Sequence, residues 1–157
     1  MDVLVDRLQL APRAALNLQH RLIEALGLQH QATTFTKVAR LVGDWFPTLS
    51  VSEHEVDLAT VVGMMALGTG VVIGYRPNNA KIGHAVRLEA GEGLLQQRVG
   101  DPFVDDVLAE TGRWVADIAA FEVHVFDPAP PGSLLRYTIP QLRPAYDNAG
   151  ARALLIR

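Results

Sequence analysis

A change of texture near Leu67 constrains this chain more than any other feature of its sequence. Up to that point apolar residues recur at helical spacing; after it they alternate, or run in short blocks bounded by turn residues. The first periodic segment begins with Pro12, carries Ala15, Leu18, Leu22, Ala25 and Leu26, and closes at Gly27, which predicts a helix over Pro12 to Leu26. The second carries Phe35, Val38, Leu41, Val42 and Trp45. With Thr33 or Thr34 as cap and Pro47 as stop, it predicts a helix over about Thr34 to Phe46. Ser52 followed by Glu55 reads as a capping box, and Val51 with Val56 as a hydrophobic staple, so a third helix is expected from Glu53 to about Leu67. Its second half, Val61 to Leu67, is apolar on every side, which on a helix means burial all round and a path through the centre of the domain.

Beyond Leu67 the pattern shortens to strands. Val71 to Tyr75, His84 to Ala90 and Leu94 to Val99, separated by turns at Pro77 to Lys81 and Gly91 to Gly93, predict an antiparallel meander. Asp101-Pro102 then opens a helix through Ile118 that Gly112 weakens. Strands follow at Phe121 to Phe126, Leu134 to Ile139 and Ala151 to Ile156, with a rigid loop at Asp127 to Gly132 and a short element at Gln141 to Tyr146 limited by Pro144. Helices first and strands afterwards argue for an α+β fold, with N-terminal helices packed on an antiparallel sheet in one domain: a helical part over about 8–67 and a sheet part over about 70–157.

Composition agrees with a folded domain and closes off several kinds of function. A chain of 157 residues, 49% apolar and 20% charged, buries roughly two thirds of its unfolded surface, so it needs no metal or disulfide to hold a core. The net charge of -3, with no basic run longer than a pair, argues against a nucleic-acid partner. The longest uncharged tract, Leu58 to Gly74, is interrupted by Gly63, Gly68, Thr69 and Gly70, so no membrane span is expected. The acidic start, Met1-Asp2-Val3, does not read as a targeting signal, and a cytoplasmic location is the expectation. The count of cysteines is zero, which removes disulfides, thiolate metal sites and thiol nucleophiles together.

Chemistry must therefore come from other side chains. The five histidines form no HxxxH or HExxH pattern, the serines no GxSxG elbow and the glycines no phosphate loop, so neither a metal nor a cofactor is expected. One constellation stands out. His84 begins a strand and Asp101 follows the end of its expected hairpin partner, which brings both to one end, as an imidazole oriented by a carboxylate requires. Either residue alone has a plainer use: Asp101 as the cap before Pro102, His84 as a strand-end histidine bonded to a carbonyl.

In this segment, Val71-Val72-Ile73-Gly74, Gly83-His84-Ala85-Val86, Gly91-Glu92-Gly93 and Gly100-Asp101-Pro102 follow one another. The order resembles the C-terminal half of the papain-like cysteine peptidases, in particular the C39-like peptidases, and the likeness extends over about residues 8–103. The resemblance implies a papain-like fold, His84 as general base and Asp101 as its orienting partner. It also implies a nucleophilic cysteine at the start of the first helix, where the helix's positive end lowers the thiol pKa. This chain has Leu10-Ala11-Pro12-Arg13-Ala14-Ala15-Leu16 there, so Ala11 stands at the expected nucleophile position, and Gln9 lies too near it to line an oxyanion hole simply. Two functions remain open. One is a papain-like domain without its nucleophile, natural or changed from Cys to Ala, whose cleft takes a peptide or protein ligand. The other is a non-catalytic interaction domain, such as an effector, immunity or assembly protein, whose His/Asp pair is structural. The oligomeric state is not legible.

Overall fold

The computed structural model describes residues 2–27, 33–66, 68–90, 122–127 and 133–157. In chain order the elements are α1 (Asp2–Leu8), α2 (Pro12–Leu26), α3 (Phe35–Trp45), β1 (Val51–Glu55), α4 (Leu58–Ala66), β2 (Gly70–Tyr75), β3 (His84–Ala90), β4 (Glu122–Asp127), β5 (Ser133–Thr138), α5 (Ile139–Asn148) and β6 (Arg152–Ile156). The six strands form one sheet in the order β1-β6-β2-β3-β4-β5, every neighbouring pair antiparallel. This is an α+β fold.

Residue alternation assigns the two faces of the sheet to different helices. Val71, Ile73 and Tyr75 of β2, Val86 and Leu88 of β3, Val123 and Val125 of β4 and Ala153 and Leu155 of β6 share one core with Leu58, Val61, Val62 and Met65 of α4 and Ile139, Leu142 and Tyr146 of α5. Leu154 and Ile156 of β6 point the other way, into a second core with Val3 and Leu4 of α1, Leu18 and Leu22 of α2 and Val42 of α3. Strand β6 is thus buried on both faces, which accounts for its unbroken Ala-Leu-Leu-Ile run where one-sided strands alternate.

Helices α2 and α3 keep the expected bounds. Thr34 caps α3 by accepting from Lys37 N–H at 3.3 Å, and Gly27 ends α2 in the left-handed conformation at φ 66. The expected third helix starts later than the sequence suggests. Residues 51–55, which carry the apparent capping box, form β1 instead, because five residues there pair with β6. The cap of α4 is Asp57, whose carboxylate accepts from Ala59 N–H at 2.8 Å. Helix α4 lies against one face of the sheet and α5, not through the centre of the domain. The expected meander is also different: β2 pairs with β3 and β6, and the second partner of β3 is β4. The expected strand 94–99 and helix 102–118 lie outside the described residues.

Near the C-terminus, the short element expected at 141–146 is the ten-residue helix α5, which runs through Pro144. Gln141 Oε1 accepts from Thr138 N–H at 2.8 Å and supports its first turn. Tyr146, fully buried, donates its hydroxyl to the Val56 carbonyl at 2.8 Å and ties α5 to the segment before α4.

Helix α1, absent from the sequence reading, is held by close approach and by charge. Asp6 accepts from Arg87 of β3 at 2.7 Å, and Arg7 donates to the Gly68 carbonyl. Gly70 at the head of β2 leaves no room for a side chain: a Cβ there would collide with Val3 Cγ1 and approach the Ile156 carbonyl at 3.3 Å. Gly70→Ala should therefore lower stability by about 1–3 kcal/mol, as overpacking does, read as a fall in the urea midpoint. Val3→Ala in the same chain should restore part of the loss by clearing the collision; equal midpoints for Gly70→Ala and the unaltered chain would refute the close contact.

Candidate functional site

His84 opens β3 and Asp127 closes the antiparallel neighbour β4, so the pairing of these strands brings both residues to the same end of the sheet. The His84 Nε2 lies 2.9 Å from Asp127 Oδ2, with the His84 side chain 39% exposed and that of Asp127 15% exposed. Two tyrosines complete the cluster. The Tyr75 ring meets the His84 ring edge-on at 5.6 Å, and the hydroxyls of Tyr75 and Tyr137 are 2.8 Å apart. Burial, reinforced by the bond to Tyr137 and by the nearby charges, pushes the Tyr75 hydroxyl far above the ordinary tyrosine range. Burial does the same to Tyr146, with Asp57 and Asp147 adding to it.

His84 stands on the wall shared by two hollows. The first, of about 350 Å³, is polar and bounded by Thr33, Thr34, Glu53, Arg76, Asn148 and Arg152. Inside it Arg152 donates to Glu53 at 3.1 Å, and Asn148 donates to Asn78 Oδ1 at 2.7 Å. Among the described residues Arg76 has no carboxylate within ion-pair distance, so its exposed guanidinium is available to a ligand. The second hollow, of about 530 Å³, lies between the sheet and α1, α2 and α3 and is lined mainly by aliphatic side chains. Thr33 borders both, and its hydroxyl is buried with no hydrogen-bond partner. An imidazole whose Nε2 is fixed by a carboxylate is held in one tautomer and one plane. Such a ring suits hydrogen bonding or proton transfer at Nδ1, and a reaction would also need a nucleophile beside it.

The expected site residues are distributed as follows. His84 is at the hollows. Asp101 lies outside the described residues, and the carboxylate found at His84 is that of Asp127, which the sequence reading left in a loop. The signal for it was present: Asp127-Pro128 repeats the Asp101-Pro102 pattern of the sequence, and the pairing of β3 with β4 brings Asp127 to His84. Ala11 caps α2 with no side-chain bond and is exposed. The contacts of α1 with Gly68, Gly70 and Arg87 place the start of α2 near the head of β2, while His84 pairs with Tyr75 at its tail. The second half of α2, from Gln19 to Leu26, reaches the hollow at His84. Ala11, the cap of that helix, is not among the residues that border it. Among the described residues no three His or carboxylate groups gather closely enough to hold a metal ion, and no helix is long and apolar enough to cross a membrane.

Two outcomes follow from this geometry. With a carboxylate at Nε2, long-range proton–nitrogen NMR of His84 should show the Nε2–H tautomer. Asp127→Asn should mix the tautomers and Asp101→Asn leave them unchanged; the reverse pattern would remove Asp127 from the site. The second concerns alkaline stability. The folded state holds Tyr75 and Tyr146 protonated, so their contribution is complete below the unfolded tyrosine value of about 10 and is lost as pH rises beyond it. Melting temperature should fall steeply above that pH, and less steeply in Tyr146→Phe; identical slopes would contradict the burial of that hydroxyl.

No family model, curated protein or solved structure matches the chain.

Proposed function

We propose that this chain is a binding domain of papain-like build that holds a peptide at His84 without cutting it. The observation that carries the reading is the His84 Nε2 to Asp127 Oδ2 contact of 2.9 Å on the wall common to both hollows. It leaves the Nδ1 side of an oriented ring for a ligand. The rest of the polar hollow offers what a peptide backbone or terminus needs: hydroxyls from Thr33 and Thr34, the amide of Asn148 and the guanidinium of Arg76. Hydrolysis by a thiol is not part of the reading, since the chain has no cysteine. The resemblance of the Gly83-His84-Ala85-Val86 segment to papain-like peptidases supports the build; Asp127 takes the orienting role that the resemblance gave to Asp101.

The test is selection of peptides from a displayed random library on the unaltered chain, followed by titration against His84→Ala. Selected peptides should bind the variant at least tenfold more weakly, remain uncut, and stay uncut with Ala11→Cys. His84 is partly exposed, so its loss should cost under about 1 kcal/mol of stability. Equal binding by the variant, or cleavage by the unaltered chain, would sink the proposal. The interaction-domain reading has its own support in the low exposure of Asp127, and it makes a different forecast. No peptide would be selected, and His84→Ala would lower the melting temperature sharply.

A further inference from the structure

We infer that the apolar hollow beneath α2 is a binding site for a single acyl chain whose carbonyl head sits at Thr33. Folded interiors leave few voids larger than a water molecule, yet this one measures about 530 Å³. That is within the range of about 300–1,000 Å³ that holds a whole small ligand and too large for one inserted side chain. Its wall is aliphatic and drawn from five elements: Leu4 of α1, Leu22, Ile23 and Leu26 of α2, Val38 and Val42 of α3, Val72 of β2 and Leu154 and Ile156 of β6. No Asp, Glu, Lys or Arg borders it, and its polar side chains are those of Gln19, Thr33 and His84, so a ligand that fills it must be apolar along most of its length.

One end differs from the rest. There the hollow meets Thr33, whose hydroxyl is buried with no partner. An unpaired buried hydroxyl costs free energy that a ligand oxygen would recover. A molecule with one oxygen-bearing head and a long apolar body meets both demands; a pure hydrocarbon leaves the hydroxyl unpaired, and a polar metabolite is not solvated by the wall. The means of entry is α2 itself, which buries only Leu18 and Leu22 of its fifteen residues and is tied to α3 by Arg21 stacked 4.7 Å over Trp45. The head can belong to a free fatty acid or to the acyl group of a larger molecule, since both present the same carbonyl.

Calorimetric titration of the full chain with saturated fatty acids from hexanoic to hexadecanoic acid, and with their N-methylamides, tests this. Affinity should rise with chain length and stop rising once the hollow is filled. Tighter binding of the acids would assign the site to free fatty acid, and of the amides to an acylated molecule. Ile23→Trp, which fills the hollow from α2, should weaken binding at least tenfold while the melting temperature holds or rises; Leu26→Trp provides the same readout should Ile23→Trp fail to fold. Thr33→Val should weaken both ligand series without changing the length at which affinity stops rising. Absence of saturable binding throughout would overturn the inference, as would affinity that climbs steadily with length and ignores both tryptophan variants, the behaviour of surface partitioning. The inference does not rest on the peptide reading. Neither Ile23 nor Leu26 borders the polar hollow, so these variants leave the peptide test unaffected.

Discussion

The burial of β6 on both faces is the constraint on which the rest of the molecule depends. Ala153 and Leu155 hold α4 and α5 to one side of the sheet, while Leu154 and Ile156 hold α1, α2 and α3 to the other. The same four residues pair with β1 on one flank and with β2 on the other. A strand in that position cannot tolerate a polar residue on either face, because an unpaired polar group there would cost several kcal/mol. Its sequence obeys this rule from Ala153 to Ile156. The helices of the first half, which share little with one another in sequence, are therefore organised by four residues at the far end of the chain.

The site is a by-product of the same arrangement. Strands β3 and β4 pair antiparallel from Arg87 with Phe126, and the same register carried one step on sets Asp127 opposite Val86, two residues from His84 on one face of the sheet. His84 and Asp127 meet at that corner, where the sheet ends and the side chains are only partly shielded. Directly behind them Tyr75 and Tyr137 link β2 to β5 through their hydroxyls, across two intervening strands. The Tyr75 ring is buried there and the Tyr137 ring partly buried.

Much of this was legible in the sequence, and the gaps have specific causes. Local signals predicted α2, α3 and the later strands to within a residue or two, because each has its own periodicity and its own stop in Gly27, Pro47 or a Gly-Pro cluster. Ser52 to Glu55 misled for a physical reason: a capping box and an edge strand can use the same residues, and pairing with β6, nearly the whole chain away, decided between them. Helix α1 escaped notice because seven residues make barely two turns, and what holds them is Arg87, Gly68 and the missing side chain of Gly70. His84 was recognisable from its motif, but its partner was not. The sequence holds two Asp-Pro pairs, and choosing Asp127 required the pairing of β3 with β4.

The position of β6 also governs how the chain can acquire its structure. Val51 and Ile156 face each other across a pair of strands, as do Gly70 and Ile156, so the centre of the sheet is assembled from residues separated by most of the chain's length. Until the last strand arrives, β1 and β2 each present an open edge and α1 and α3 have only half a surface to rest on. Loop closure of that length must precede the contacts that reward it, which places this fold among the slow ones for its size. During that interval the exposed edges of β1 and β2 are the part of the molecule most open to pairing with another chain.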